Sequence, residues 1–264
     1  MHNNGPIAVI FHTLVVVFML APLVVICLVA FTPANTLTLP TTEFSLRWFS
    51  AVFEHPDFVA SFVNSLWVGA IAATVAVVLA VGAGLALDRY DFAGRGALNA
   101  LFLSPLMIPH LVLGVALLRM FALIGATGSF VWLTLGHIVV TTPYVLRLVL
   151  AALSGLDRSA EQAALSLGAS QATVFIRVTL PMILPGVTGG WLLAFINSFD
   201  EVTMSIFVTA PSTVTLPVRM YMYATESIDP MMAAVSALMI ALTAATMLLL
   251  DRIFGLDKIL VGQN

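Results

Sequence analysis

Two adjacent carboxylates, Asp200 and Glu201, interrupt an apolar run over residues 182–208 and are the residues best suited to chemistry. If that run spans a membrane, an acidic side chain at its centre costs about 2.5–3.5 kcal/mol, and lipid packing does not offset this cost. One interpretation is an internal ion pair with Arg119 or Arg219 that fixes helix packing. The other is an anionic constriction that attracts a cationic solute.

His110 is a second candidate, because it follows Pro105 and Pro109 in another apolar run. Prolines free backbone carbonyls in a membrane helix, and this is tolerated where they face protein or a water-filled cavity. His110 could hydrogen-bond a neighbouring helix, which we favour, or could help to define the solute. The other histidines are scattered, with no His-Glu-x-x-His sequence and no paired nucleophile and base, which argues against a membrane enzyme.

The composition places these residues in a membrane protein. Of 264 residues, 61% are hydrophobic and only 9% are charged, whereas a soluble domain has about 25% charged residues. The net charge of -3 offers no basic surface for nucleic acid. The single cysteine, Cys27, excludes a disulfide framework and a cysteine-based metal site. Lys258 is the only lysine and no Walker A sequence surrounds it, so any ATP hydrolysis belongs to another chain.

Apolar runs long enough to cross a bilayer predict an all-α integral membrane protein with six transmembrane helices. The first run has no basic residues before it and no clear small-x-small cleavage site, so we interpret it as a retained span and not as a signal peptide. The six runs cover residues 7–31, 58–87, 98–124, 130–153, 182–208 and 231–254.

The arginines predict the orientation, because cytoplasmic loops are enriched in basic residues. With the N-terminus inside, seven basic residues are cytoplasmic and two are external, while Arg119 lies within a span. Both termini and residues 157–181 then face the cytoplasm. The cytoplasmic group is Arg89, Arg95, Arg147, Arg158, Arg177, Arg252 and Lys258, and the external group is Arg47 and Arg219.

Residues 157–181, here called the elbow, are mixed polar and small in an otherwise apolar chain. Ser159 is placed to cap a first short helix, with Gln162 closing a capping box. Gly168 can end that helix in a left-handed turn, and Ser170 can cap a second. Pro181, followed by Pro185 and Gly186, is expected to break the chain before the next apolar run. The pattern predicts a helix–turn–helix.

The elbow resembles the EAA loop of inner-membrane permease subunits of binding-protein-dependent ABC importers. That signature is Glu-Ala-Ala, three residues, Gly, nine residues and Ile-x-Leu-Pro. The two alanines, the glycine and the Leu-Pro pair match at the same spacing, Val178 replaces Ile, and Gln162 stands at the glutamate position. The resemblance assigns ATPase coupling to the following residues: Glu161, Gln162, Ala163, Ala164, Leu165, Gly168, Leu180 and Pro181.

Other segments resemble the spermidine/putrescine permeases within this family, and the similarity covers essentially the whole chain. The turn over residues 86–96 resembles an Ala-Arg-Tyr-x-Phe-x-Gly-Arg turn common among the ABC importer permeases in general, and residues 197–202 resemble a stretch of the polyamine permeases whose acidic pair is associated with polyamine passage. His110 departs from the pattern, which has an acidic residue near this place. Trp48, in a predicted interfacial helix at 44–49, fits an aromatic belt better than a binding-protein contact. The predicted solute-pathway residues are Asp200, Glu201, Ser198, His110 and Trp48.

The resemblance implies a single membrane domain over residues 1–264, in a bacterial inner membrane. It implies a second homologous permease chain forming a heterodimer, two ATPase subunits on the elbows and a periplasmic binding protein. The chain itself would need no cofactor, since ATP and Mg²⁺ would bind the ATPase. The implied solute is a polyamine, and related importers carry amino acids, opines, phosphonates or ferric iron.

A self-contained secondary transporter or channel is the alternative from another class, with Asp200 and Glu201 as a proton or cation relay. Such transporters commonly contain inverted repeats, and no convincing internal repeat is found in this sequence. That alternative also leaves the mixed elbow without a role.

Overall fold

The computed structural model describes residues 5–40 and 43–254, with the side chains of residues 246–251 and 253–254 excepted. These residues form helices and connecting loops without strands, which confirms the all-α prediction. The helices are α1 (Pro6–Val29), α2 (Arg47–Glu54), α3 (Pro56–Arg89), α4 (Arg95–Leu103), α5 (His110–Leu123), α6 (Phe130–Ser154), α7 (Ser159–Ser166), α8 (Gln171–Val174), α9 (Leu180–Phe199), α10 (Ser205–Val208), α11 (Leu216–Glu226) and α12 (Met231–Phe254). A 3₁₀ turn (Ser104–Leu106) follows α4, and a π turn (Phe175–Thr179) joins α8 to α9.

Four helices are long and apolar enough to cross a membrane, which confirms a multi-pass membrane protein. They are Pro6–Val29, Pro56–Arg89, Phe130–Ser154 and the continuous helical stretch Gln171–Phe199. A bent pair, Arg95–Leu106 and His110–Leu123, makes a fifth if the two halves form one span. In α12 the described side chains are apolar over Met231–Ala245, and the side chains that follow lie largely outside the described residues.

The chain divides into two compact units. The first comprises Met1–Val59 and Met220–Asn264, and in it α12 packs against α1 and α2. The predicted interfacial helix at 44–49 forms later in the chain, as α2. The Ser45 hydroxyl accepts the backbone N–H of Arg47 at 3.2 Å, which fixes the turn that starts it.

The second unit, Ala60–Arg219, has a core made by α3, α6 and α9. Small side chains on α3 recur at helical spacing, and small residues let membrane helices approach closely. Branched side chains of α6 and α9 fill the space against them. The core includes Ala73, Ala76, Ala80 and Ala83 of α3, Val145, Leu146 and Val149 of α6, and Ile183 and Val187 of α9. This packing holds the two segments described below.

The run over residues 98–124 is not one straight helix. The two halves meet at a break with a bend of 103°. Pro109 caps α5 with φ -55° and ψ 129°, and the residue before a proline is itself pushed away from helical geometry. The prolines therefore bend the chain through roughly a right angle, which places His110 at the start of a new helix.

The expected break at Pro181 is wrong, because helix continues from Gln171 to Phe199. Proline removes one N–H and crowds the carbonyl four residues before it. In the π turn, the N–H of Leu180 donates to the Phe175 carbonyl five residues back, so the hydrogen-bond register has shifted before the ring. The second elbow helix is thus the beginning of a membrane span and not a separate short helix.

The expectation that Asp200 and Glu201 lie inside a membrane helix is also wrong. Helix α9 ends at Phe199, and the chain turns before α10 begins at Ser205. We call residues 200–204 the acidic turn. Asp200 and Glu201 lie outside a helix, so the angle between their side chains is not fixed by helical geometry. The two carboxylates can therefore have different surroundings.

Candidate functional site

The two carboxylates of the acidic turn differ sharply in environment. Glu201 is buried, with 7% exposure. Its Oε2 lies 2.7 Å from Nδ1 of His110, and its Oε1 accepts the backbone N–H of Met204 at 2.6 Å. Asp200 is exposed, and its carboxylate makes no hydrogen bond or ion pair with any residue that the structure describes. One carboxylate is buried and held by two partners, and the other is exposed.

The ion pair predicted between the acidic pair and Arg119 or Arg219 does not form at Glu201, whose partner is His110. Arg119 is exposed on α5. The favoured expectation that His110 hydrogen-bonds a neighbouring helix is wrong, because its partner is Glu201 in the acidic turn; a role for His110 in defining the solute stays a prediction. His110 thereby ties the start of α5 to the acidic turn.

A buried polar network surrounds the same turn and was not predicted from the sequence. His137 of α6 has Nδ1 2.8 Å from the Ser198 hydroxyl and Nε2 2.9 Å from the Ser205 hydroxyl. All three residues are buried. Ser198 therefore faces His137 inside the protein, and its assignment to the solute pathway stays a prediction. The available signal was the apolar run around His137, in which a polar ring needs internal partners.

Trp48 belongs to the first unit, whereas the other predicted pathway residues belong to the second. Its Nε1–H donates to the Ala34 carbonyl at 3.1 Å, and the Arg47 guanidinium lies 4.6 Å from its ring centre. The Arg47 side chain also donates to the Pro33 carbonyl at 2.9 Å. These contacts order the loop before α2, which gives Trp48 a structural role independent of any partner.

The elbow contains the predicted turn but a different first cap. Gly168 has φ +87°, the left-handed conformation that favours glycine. Ser170 accepts the Thr173 N–H at 3.2 Å, which confirms the second cap. Ser159 is not a cap: Asp157 accepts its backbone N–H at 2.9 Å and its hydroxyl at 2.7 Å. These two donors lower the pKa of the Asp157 carboxyl below its usual value.

Glu161 faces the interior of the second unit, with 6% exposure. Its carboxylate forms an ion pair with Arg89 at the end of α3 and accepts the Thr179 hydroxyl. A second ion pair, Arg158 to Asp88 at 2.7 Å, lies beside it. The predicted coupling residue Glu161 therefore acts within this chain, where it anchors the elbow to α3.

The opposite side of the elbow is open. Leu167, which sequence reasoning did not select, is 89% exposed at the tip of the turn. Among the predicted coupling residues, Gln162, Ala163, Leu165, Gly168 and Pro181 are exposed, and Ala164 and Leu180 are half-buried. Leu167 and the small residues beside it therefore form an exposed apolar surface.

Comparison with known proteins gives these segments a context. Residues 76–255 match the model of a family described as "Binding-protein-dependent transport system inner membrane component". The chain belongs to this family. The matched range contains both the elbow and the acidic turn, while Trp48 lies before it.

Members of this family with curated names are similar over most of their length. The spermidine/putrescine transport system permease protein PotC of Haemophilus influenzae is 33% identical over 78% of this chain and 80% of its own. The putrescine transport system permease protein PotI of Escherichia coli is 32% identical over 84% of this chain and 82% of its own. A solved bacterial ABC transporter involved in alginate import has the same fold, with a TM-score of 0.73 at 15% identity, covering 95% of this chain and 96% of that one.

Replacing Asp157 with alanine is expected to loosen the first turn of α7, because its carboxylate accepts two donors there. We expect amide hydrogen exchange at residues 159–161 to become about fivefold faster. The pKa of the Asp157 carboxyl is lower in the folded protein than in the unfolded chain. Its stabilisation of this turn is therefore complete above the unfolded-state pKa and is lost as the pH falls through the folded-state pKa. Ser159→Ala is the matched control: it removes only the hydroxyl contact, and an equal effect would show that the bond from the Ser159 N–H to Asp157 does not stabilise this turn.

Proposed function

We propose that this chain is the permease subunit of an ATP-driven importer for a small organic cation, a polyamine such as putrescine or spermidine. The observation that carries the proposal is Asp200, an exposed carboxylate with no partner among the described residues, held at the end of an apolar helix. An ammonium group that hydrogen-bonds such a carboxylate gains about 1–3 kcal/mol where water is partly excluded. Polyamine permeases among the similar proteins support the same solute.

The proposed membrane topology has six spans in one domain over residues 1–264. The bent pair α4–α5 provides the third span and residues 231–254 provide the sixth. With both termini in the cytoplasm of a bacterial inner membrane, the elbow is cytoplasmic, as the distribution of arginines predicts. The acidic turn then lies toward the opposite face, where a solute enters.

The proposed partners follow from this arrangement. A second, homologous permease chain completes a heterodimeric pathway, and a periplasmic binding protein delivers the solute. Two ATPase subunits bind the open sides of the elbows, where Leu167 offers an apolar anchor. ATP and Mg²⁺ bind the ATPase, and this chain supplies no cofactor and no catalytic residue. Closure of the ATPase dimer moves each elbow and the helices attached to it.

Other solutes remain alternatives within the same machinery: an amino acid, an opine, a phosphonate or ferric iron. A free carboxylate disfavours the anionic solutes by charge repulsion. A self-contained secondary transporter is less well supported, since Glu201 is fixed by His110 and is unsuited to act with Asp200 as a relay. The open face of the elbow also has no role in such a protein.

Calorimetry on the cognate binding protein tests the solute class. We expect it to bind putrescine or spermidine and to ignore anions of similar size. Uptake into vesicles containing the complete transporter should then require ATP, and the purified chain alone should carry nothing. A binding protein that prefers an anion would contradict the polyamine assignment, and uptake by the isolated chain would contradict the importer itself.

A further inference from the structure

His137 connects the two helix ends that enclose the acidic turn. Ser198, bonded to Nδ1, lies in the last turn of α9, and Ser205, bonded to Nε2, is the first residue of α10. Neutral imidazole has one N–H and one bare nitrogen, and a serine hydroxyl can donate or accept. Both bonds can therefore form at once, and the rigid ring sets the separation of the two hydroxyls.

Two other contacts fix the turn between those ends. Glu201 is held by His110 and by the Met204 N–H. Met204 is fully buried, and a Cβ at Gly114 of α5 would lie 3.0 Å from the Met204 backbone, so only glycine leaves room for this approach. Asp200 is the one acidic side chain of the turn that these contacts leave open.

We propose that His137 is a positioning residue for the solute pathway: by bridging Ser198 and Ser205 it sets where the Asp200 carboxylate lies. The inference rests on the proposed function, in which Asp200 meets the cationic solute. A bridge of three buried polar groups is costly in a membrane helix bundle unless each is hydrogen-bonded. An apolar side chain would fill the same space without that cost but would not fix the turn.

Two conservative variants separate the bonds of the ring. In His137→Asn the amide lies near the position of Nδ1 and can keep the Ser198 bond. In His137→Gln it lies near Nε2 and can keep the Ser205 bond. His137→Leu removes both. We expect uptake per ATP hydrolysed by the complete transporter to fall about tenfold in the leucine variant and less in the two amides, because misplacing a contact group by about 1 Å is enough for such losses.

A second measurement does not depend on the solute. Cys27 is the only cysteine, so Cys27→Ser gives a background in which Asp200→Cys is the single thiol. We expect the alkylation rate of that thiol by a soluble maleimide to change about threefold or more when His137→Leu is added, since thiol reactivity follows its surroundings. If the leucine variant does not assemble, the alkylation rate is compared between the parental protein and the asparagine and glutamine variants instead.

Thr142→Val is the matched control, because it also removes a buried polar group from α6 but breaks only a bond to the backbone of its own helix, at Ile138. It should leave both the alkylation rate and the uptake per ATP unchanged. Removing both serine hydroxyls together should reproduce His137→Leu, and adding that change should have little further effect.

The proposal is overturned if assembled His137→Leu complexes keep the parental alkylation rate and uptake per ATP, since a purely structural residue would reduce only the amount of complex. It is also overturned if Thr142→Val has the same effect. A wild-type transporter that ignores polyamines would contradict the proposed function alone, because the alkylation rates would still decide the role of His137.

Discussion

Asp200→Asn is expected to lower polyamine uptake by about tenfold to a hundredfold, with normal assembly of the transporter. Asparagine keeps the size of the side chain and removes the charge that attracts the ammonium group. Loss of one partly desolvated charge contact of about 1.4–2.7 kcal/mol gives this range. Because the carboxylate has no partner among the described residues, its loss leaves no buried group unpaired. Uptake per assembled complex, measured in vesicles with loaded binding protein, is the readout.

Glu201 provides the control for Asp200→Asn, because it is the adjacent acidic residue and its side chain is buried. Glu201→Leu leaves the buried Met204 N–H without its acceptor, at a cost of about 1–3 kcal/mol, and it leaves the partly exposed His110 without its partner, at a smaller cost because solvent can replace the carboxylate. We expect less assembled protein and a lower melting temperature. If Asp200→Asn instead reduces assembly, the acid is structural and the proposed solute contact is wrong.

Local signals predicted some features of the elbow correctly and one incorrectly. Gly168 and Ser170 act as the sequence predicted, because a left-handed turn and a serine cap depend on neighbouring residues only. The first cap was misassigned because Asp157 and Ser159 are both good acceptors for helix N–H groups. The choice between them depends on how the chain leaves α6, which hydrogen-bonding propensity does not determine.

Partners distant in sequence were not predicted. Glu201 and His110 are separated by 91 residues, and Glu161 and Arg89 by 72. Hydropathy identifies the residues that are costly to bury, and it identified Asp200 and Glu201. It does not determine which faces of two helices meet, so it left Arg119 and Arg219 as the candidate partners.

Helix ends inside apolar runs were the least predictable feature. After Phe199 the chain continues with Val202, Met204 and Phe207, so hydropathy extends the run past the true end of α9. The turn is stabilised by tertiary contacts of Glu201 and Met204 with α5 and α6. The difference between buried Glu201 and exposed Asp200 depends on that turn, so the sequence could not predict it.

The elbow is joined to the bundle in two ways, by chain continuity and by charge. The π turn carries α8 directly into α9, and the Arg89–Glu161 pair connects α7 to the end of α3. A force on the exposed tip at Leu167 is thus passed to α3 and α9 together. These are two of the three helices that form the core of the second unit.

Glu161→Leu is expected to uncouple ATP hydrolysis from uptake. Removing the carboxylate leaves Arg89 and the Thr179 hydroxyl without their acceptor, and losing one partner of a buried pair costs about 3–5 kcal/mol. The side chain of Arg89 is partly exposed, at 22%, so solvent reduces the cost to about 1–3 kcal/mol. We expect uptake per ATP to fall about tenfold, because α7 can then move without α3.

Two further variants test whether the effect of Glu161→Leu comes from the Arg89–Glu161 ion pair. Arg158→Ala breaks the neighbouring ion pair with Asp88. Because the Arg158 side chain is 50% exposed, we expect the stability of the protein to change by at most about 1 kcal/mol and the coupling of ATP hydrolysis to uptake to stay near normal. Arg89→Leu combined with Glu161→Leu removes both charges and should recover protein yield without recovering coupling. Normal coupling in the double variant would show that the elbow drives the bundle through α9 alone, and the role of the Arg89–Glu161 pair would be refuted.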